Sequence, residues 1–294
     1  MLTIILFTGA TVLTGCSHDM DDYRKKPYDV TDEERVKYAE QKLGTTIDPE
    51  QDWVLTSEYS VTITADAKLE GISMVAVLDG NPYAGISQIM ASQAATRDTK
   101  TSLSFRAWED KDFGDYDMND CVIEVQENAD DKSKLDITLV ALGGARELWL
   151  GFENKNAKTY ADYQHVFEQE LHAVLGIPVG KMANTGNGTL TVDPVKITLP
   201  KPAGFNFQTC SFILGARVTA DMQGIYESDY YAISIPKKGQ DPHGVVIPSK
   251  WQWPTEATCI TNAYPQFADW AHDIKNPTFK NWYMYPESGK VMNR

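Results

Sequence analysis

The sequence predicts an all-β-dominated chain: an antiparallel, jelly-roll-like β-sandwich with a few short helices. Apolar and polar residues alternate with a period of two in many short runs, as in 60–65, where Val61, Ile63 and Ala65 share one face. Turn-forming clusters such as 79–82 separate these runs, whereas long amphipathic helices between strands are absent. Aromatic residues make up 11% of the chain, which is typical of a well-buried β-rich core. Together these observations favour an antiparallel sandwich over an α/β sheet.

The strand candidates are distributed along most of the chain. In order they are 61–65, 72–78, 103–107, 121–125, 135–139, 148–152, 195–199, 212–218 and 232–235. No internal repeat or low-complexity linker interrupts them. We therefore expect a β-rich segment over 45–100 and a β-sandwich domain over 101–294.

Three short helices are expected beside the strands. The first covers about 32–43, because Thr31 and Glu34 have the spacing of a capping box and Gly44 is suited to end the helix. The other two cover 167–175, which ends before a Gly-Ile-Pro sequence, and 265–274, which begins with proline.

The N-terminus indicates export and lipidation. Residues 1–15 are uncharged and mostly apolar, as in a secretory signal peptide, and are too few to span a bilayer, which takes about 20 residues. Residues 13–16, ending in Cys16, resemble the bacterial lipobox, whose cysteine receives the lipid. The alternative is a buried first strand ending in a free thiol. We expect residues 16–44 to form a polar tether and the first helix, with the protein anchored in the outer membrane and displayed at the cell surface rather than on the periplasmic leaflet.

Charge excludes one large class of partners. The 41 acidic residues outnumber the 27 basic residues, giving a net charge of -14, and no basic stripe is present. Nucleic-acid binding requires such a stripe to neutralise phosphates. We therefore expect no nucleic-acid partner, and the outer membrane is contacted through the lipid anchor alone.

Acidic residues are most concentrated in a loop just before the strand candidate 121–125. Oxygen ligands crowd this turn, and Ca²⁺ takes six to eight of them. The candidate ligands are Glu109, Asp110, Asp115, Asp117, Asn119 and Asp120. The loop departs from the EF-hand pattern, since Asp120 replaces its glycine and Gln126 its glutamate. The alternative to a Ca²⁺ site is a solvated turn in which the acidic side chains cap backbone N–H groups.

Motifs at and after this loop resemble the LruC-type domain of bacterial lipoproteins. Its "ED…GDxDxND" signature is similar to Glu109-Asp110 followed by residues 114–120. Further similar segments occur in the same order, at 170–176, 182–186, 247–256 and 263–270, and 47–53 is similar to a lead-in found in longer relatives. The resemblance covers about 100–294. It implies a surface or periplasmic lipoprotein with a β-rich domain and, for the loop, a calcium role; it implies no catalytic residues.

Aromatic residues near the C-terminus suggest a second kind of binding. Flat aromatic rings stack on sugars, and Trp282, Tyr283 and Tyr285 form the set that we expect to be exposed. A glycan or protein ligand is therefore considered, with the common alternative that such residues belong to the core.

No catalytic or zinc signature is present. The chain lacks a G-x-S-x-G elbow, a P-loop and the histidine spacings of zinc sites. Once Cys16 carries lipid, Cys121, Cys210 and Cys259 remain, an odd number that cannot be fully paired within the chain. We expect a structural or adhesive binding module stabilised by Ca²⁺, with a glycan-binding lipoprotein for nutrient capture as the alternative, and no enzymatic activity.

Overall fold

The computed structural model describes residues 31–55, 104–110, 113–153, 162–186, 188–207, 211–219, 230–233, 236–248 and 251–293. The expected signal peptide, the lipidation site Cys16 and the strand candidates 61–65 and 72–78 lie outside these ranges. Within the described ranges, no helix has the length and apolar character needed to cross a membrane.

In the part of the chain that the structure describes, nine strands form two antiparallel sheets. They are β1 (Ser104–Trp108), β2 (Cys121–Glu127), β3 (Lys134–Ala141), β4 (Leu148–Phe152), β5 (Gln164–His165), β6 (Val195–Pro200), β7 (Phe212–Arg217), β8 (Tyr230–Ile233) and β9 (Gly244–Ile247). Sheet 1 has the order β6-β3-β2-β1-β9, and sheet 2 has the order β5-β4-β7-β8. The prediction of an antiparallel, sandwich-like fold with few short helices is confirmed.

The two sheets pack against each other through alternate side chains. Ile123 and Leu139 of sheet 1 belong to the same buried cluster as Leu150 and Leu214 of sheet 2. The intervening residues of sheet 1 face the other way, so Val122 belongs to a second buried cluster. Sheet 1 is thus covered on both faces at β1 and β9, which are buried along their whole lengths, whereas β6 at its other edge is exposed on one face.

An aromatic layer made of C-terminal residues covers the second face of sheet 1. It includes α3 (Ile260–Ala263), α4 (Gln266–His272) and the 3₁₀ turns Pro277–Phe279 and Trp282–Met284. Phe267 lies at the centre of the layer, with its ring centroid 5.7 Å from that of Trp53 and 4.9 Å from that of Trp282. Edge-to-face and stacked aromatic pairs at such distances add about 0.5–1.5 kcal/mol each to ordinary burial.

The first helix, α1 (Asp32–Leu43), has the ends that the sequence predicts. Thr31 Oγ1 accepts a hydrogen bond from Glu34 N, the Glu34 carboxylate accepts one from Thr31 N, and Gly44 ends the helix in a left-handed conformation. Ala39 and Leu43 are buried in the cluster that contains the aromatic layer. The helix is therefore fixed to the body, next to sheet 1.

Local sequence patterns overestimated the lengths of the other two helices. The helix predicted at 167–175 is limited to α2 (Leu171–Val174), where the Glu170 side chain caps the first turn. The helix predicted at 265–274 ends at His272, within α4. The strand β9 has no polar alternation because both of its faces are buried, so the sequence did not indicate it.

Candidate metal centre

The acidic loop connects two paired strands. Trp108, the last residue of β1, is directly opposite Cys121, the first residue of β2, and residues 109–120 bulge out between them. Lys111 and Asp112 lie outside the described residues. The strand pairing therefore fixes both ends of the loop, and its acidic side chains must fold back onto the edge of the sandwich.

Glu109 organises the interior of the loop. Its side chain is fully buried, its Oε2 accepts a hydrogen bond from Tyr116 N (3.2 Å), and its Oε1 accepts one from Met118 N (2.7 Å). A Cβ atom at Gly114 would lie 2.1 Å from Glu109 Oε2, so only glycine allows this approach. Glu109 thus holds the backbone of the loop in place through its two carboxylate oxygens.

The backbone of the loop adopts a conformation that is rare for bulky side chains. Phe113, Tyr116 and Met118 have φ values of 56°, 56° and 54°, in the left-handed region. Tyr116 and Met118 are buried in the cluster with the aromatic layer, and they alternate with Asp115 and Asp117. Such strain persists only where the surrounding structure compensates for it, and it is concentrated at functional sites.

Three carboxylates converge in the loop. Glu109, Asp115 and Asp117 each place one carboxylate oxygen so that all three oxygens lie within 4.8 Å of one another. Ca²⁺ binds oxygen at about 2.3–2.6 Å, so two ligands of one ion can be up to about 5 Å apart. Glu109 and Asp117 are buried and Asp115 is half-buried, which leaves the cluster open to solvent on one side.

The electrostatics of the loop favour a bound cation. The pKa of Asp117 is raised well above its ordinary value, first by burial and then by the negative charges of Asp115 and Asp120. The pKa of Asp120 is raised in the same direction, by burial and by the charges of Asp110 and Glu109. A divalent ion would remove this repulsion and keep the carboxylates ionised.

The remaining residues predicted as ligands lie next to this cluster and have other contacts. Asp120 Oδ2 accepts a hydrogen bond from Asp110 N (2.7 Å), and Asp110 Oδ2 lies 3.4 Å from Arg146 Nε. Asn119 donates through its backbone N to Asp117 Oδ1 (3.2 Å) and through Nδ2 to Pro254 O (3.2 Å). The structure therefore brings together the carboxylates of Glu109, Asp115 and Asp117, whereas those of Asp110 and Asp120 are outside that group of three.

A distant segment of the chain, which sequence reasoning did not connect to the loop, completes its surroundings. Asp117 Oδ2 accepts a hydrogen bond from Ala257 N (2.8 Å), and Ile260 N donates to Tyr116 O (2.7 Å). The negative charge of Glu256 also raises the pKa of Asp117. No residue spacing relates positions 140 apart, so only the folded chain reveals this contact.

The aromatic residues proposed for glycan stacking differ in exposure. Trp282 is fully buried in the aromatic layer, with its ring centroid 5.2 Å from that of Tyr264, so the expectation that it is exposed is wrong. Tyr283 is half-buried and packs edge-on against Trp282. Tyr285 is 59% exposed, beside Met284, which is 61% exposed. Two tyrosines of the set therefore reach the surface.

Two cysteines, Cys121 and Cys259, fall within the described residues. Cys121 is buried in the cluster between the sheets, and Cys259 is half-buried. Burial raises the pKa of the Cys259 thiol, which lies close enough to the acidic loop for the charges of Glu109 and Asp115 to raise it further. Cys210 lies outside the described residues.

Comparisons with known proteins give a partial assignment. Residues 211–283 match the model of a domain of unknown function, DUF4842. No curated protein matches the chain. A crystal structure from Bacteroides ovatus, described as that of a candidate lipoprotein, aligns with a TM-score of 0.36 and 13% identity, covering 65% of this chain and 75% of that chain. The chain thus carries a match to DUF4842 that begins just before β7 and ends after the buried Trp282.

Proposed function

We propose that this chain is a lipid-anchored lipoprotein of the outer membrane, with an LruC-type β-sandwich that acts as a Ca²⁺-stabilised structural or adhesive binding module at the cell surface. The proposal assigns it binding rather than catalysis. The convergence of oxygens from Glu109, Asp115 and Asp117 within 4.8 Å of one another carries the calcium part. The lipobox-like residues 13–16 support the anchor.

Ca²⁺ is favoured over other cations by the chemistry of the cluster. All three ligands are carboxylates, which suit a hard cation, and no cysteine or histidine belongs to the group among the described residues. Mg²⁺ requires a near-ideal octahedron and retains its water, whereas Ca²⁺ accepts the irregular geometry of a loop. Extracellular modules bind Ca²⁺ with dissociation constants of about 10⁻⁴–10⁻³ M, within reach of a surface site.

Thermal unfolding of the full-length protein in detergent tests the calcium proposal. A concentration of Ca²⁺ about 100-fold above the dissociation constant should stabilise the fold by about 2.7 kcal/mol relative to chelator. Asp115→Asn should abolish most of this gain, because it removes the negative charge of one of the three converging carboxylates. Asp193→Asn, which removes a charge from an exposed position, is the matched control and should keep the full gain.

A concentration of 10 mM Ca²⁺ is about tenfold or more above the expected dissociation constant. An unfolding midpoint that is the same at this concentration and in chelator would refute the calcium-stabilised module. The anchor is tested separately by mass spectrometry of the protein from its native membrane. We expect removal of residues 1–15 and an acylated Cys16. An intact, unmodified first segment would refute the lipoprotein assignment.

The exposure of Tyr285 supports glycan binding as a second candidate function, in which the lipoprotein captures nutrients. An exposed tyrosine ring can stack on a sugar, with half-buried Tyr283 next to it in the chain. A glycan array should then show binding that Tyr285→Ala abolishes. The control is Tyr163→Ala, which removes a half-buried tyrosine just before β5 and should preserve binding. If no array sugar is bound, this function is wrong. We expect the protein to hydrolyse none of the polysaccharides in a test panel, because the proposal assigns it binding alone.

A further inference from the structure

Asn119 carries a buried oxygen atom that has no hydrogen-bond partner. Its side chain is fully buried, and its Oδ1 is without a donor. The orientation of the amide is set by the other end of the group, because Nδ2 donates to Pro254 O (3.2 Å). Leaving a buried acceptor unsatisfied costs about 1–3 kcal/mol, so this oxygen points to a missing partner of positive character.

The free oxygen and the carboxylate of Glu256 both lie next to Gly143. A Cβ atom at Gly143 would lie 2.0 Å from Asn119 Oδ1, 3.0 Å from the Asn119 backbone O and 3.1 Å from Glu256 Oε2. The two side-chain oxygens are therefore within about 5 Å of each other, a separation that two ligands of one Ca²⁺ can have. Any larger residue at position 143 would press against both oxygens.

The surroundings of this position supply negative charge. Ala257, next to Glu256, donates its N–H to Asp117 Oδ2 (2.8 Å), so Glu256 and Asp117 belong to one electrostatic cluster. Thr185 Oγ1 donates to Glu256 Oε2 (3.1 Å), which holds the carboxylate in place. The position thus combines an acidic oxygen, a neutral amide oxygen and a nearby second carboxylate.

We propose that Asn119 Oδ1 and Glu256 bind a second divalent cation, Ca²⁺, beside Asp117. This inference rests on the proposed function and extends it. Glu256 is not among the three carboxylates that lie within 4.8 Å of one another, so the second position uses oxygens that the first cluster does not. A cation here joins the acidic loop to residues 254–258 and thereby fastens the aromatic layer, which follows in the chain, to the edge of sheet 1.

Binding stoichiometry tests the proposal. Calcium titration of the full-length protein in detergent, by calorimetry or equilibrium dialysis, should give two equivalents. Glu256→Gln, which keeps the shape of the side chain and removes its charge, should bind one equivalent, and Asp115→Asn should lose the other. Asp193→Asn is the control and should bind two. Far-UV circular dichroism establishes that each variant is folded before it is titrated.

The outcomes separate the two proposals. Two equivalents in Glu256→Gln, or one equivalent in the wild type that only Asp115→Asn removes, would overturn the second position and leave the first intact. A wild type that binds one equivalent, which Glu256→Gln and Asp115→Asn each abolish, would overturn a separate second position. One equivalent that only Glu256→Gln removes would support this position and refute the first cluster. No binding by the wild type would refute both.

A glycine substitution gives an independent readout. Gly143→Ala places a methyl group against both oxygens and should also reduce the stoichiometry to one. Its control is Gly180→Ala, since a Cβ at Gly180 would meet nothing within 4 Å, although its φ of 87° makes alanine strained there. If a folded Gly143→Ala protein binds two equivalents, the cation is not held between Asn119 and Glu256.

Discussion

The ion pair that joins β3 to β6 gives a quantitative prediction for acid stability. Asp136 on β3 is only 4% exposed, and its carboxylate accepts hydrogen bonds from Thr198 Oγ1 (2.7 Å) and Asn128 Nδ2 (2.9 Å). Lys196 Nζ on β6 lies 2.7 Å from Asp136 Oδ2. Burial raises the pKa of this carboxyl group, but the hydrogen bonds from Lys196, Thr198 and Asn128 outweigh burial and lower it from 3.8 to about 2.

The lowered pKa of Asp136 predicts how much stability this carboxylate contributes and the pH range in which that contribution is lost. Because the folded state holds the ionised form, its stabilisation is fully present above about pH 4 and is lost as the pH falls toward 2. A shift from 3.8 to about 2 corresponds to about 2.4 kcal/mol at 1.36 kcal/mol per pH unit. Lys196 is 50% exposed and its charge is screened by solvent, so we expect about 1–2 kcal/mol.

Urea unfolding of Asp136→Asn measures this contribution. The variant should be about 1–2 kcal/mol less stable than the wild type at pH 7, and the difference should shrink as the pH falls toward about 3. Asp193→Asn, in an exposed position just before β6, should change stability by less than about 0.5 kcal/mol. A loss at pH 7 below about 0.5 kcal/mol, or a loss that stays constant down to pH 3, would contradict the argument.

Two further predictions concern the packing of the body. Thr31→Ala removes the hydrogen bond that Thr31 Oγ1 accepts from Glu34 N and keeps the one that the Thr31 backbone N donates to the Glu34 carboxylate. The free energy of unfolding in urea should fall by about 1 kcal/mol, whereas an unchanged midpoint would show that this cap contributes nothing to global stability. Trp282→Ala should lower the free energy of unfolding by about 3–5 kcal/mol, because its ring is fully buried. Met284→Ala, at an exposed position, should change it by less than about 0.5 kcal/mol. Equal effects of the two substitutions would contradict the burial of Trp282.

Local sequence patterns predicted the parts of the fold that depend on neighbouring residues. The capping box of Thr31 and Glu34 and the glycine at position 44 fix both ends of α1 by hydrogen bonds within a few residues. The alternation in β6, whose residues are alternately half-buried and exposed, is visible because one face of that strand contacts solvent. Where both faces are buried, as in β9, the alternation disappears and the sequence pattern no longer indicates a strand.

The sequence by itself determined the chemistry of the acidic loop, because closely spaced carboxylates and amides define its oxygen ligands whatever the fold. Only the tertiary structure decided which of them converge: it selects Glu109, Asp115 and Asp117, and it brings Glu256 and Asn119 together next to Gly143. It also buried Trp282 and left Tyr285 at the surface. The physical reason is that ligand convergence and burial depend on contacts between residues far apart in the chain, and no local spacing records those contacts.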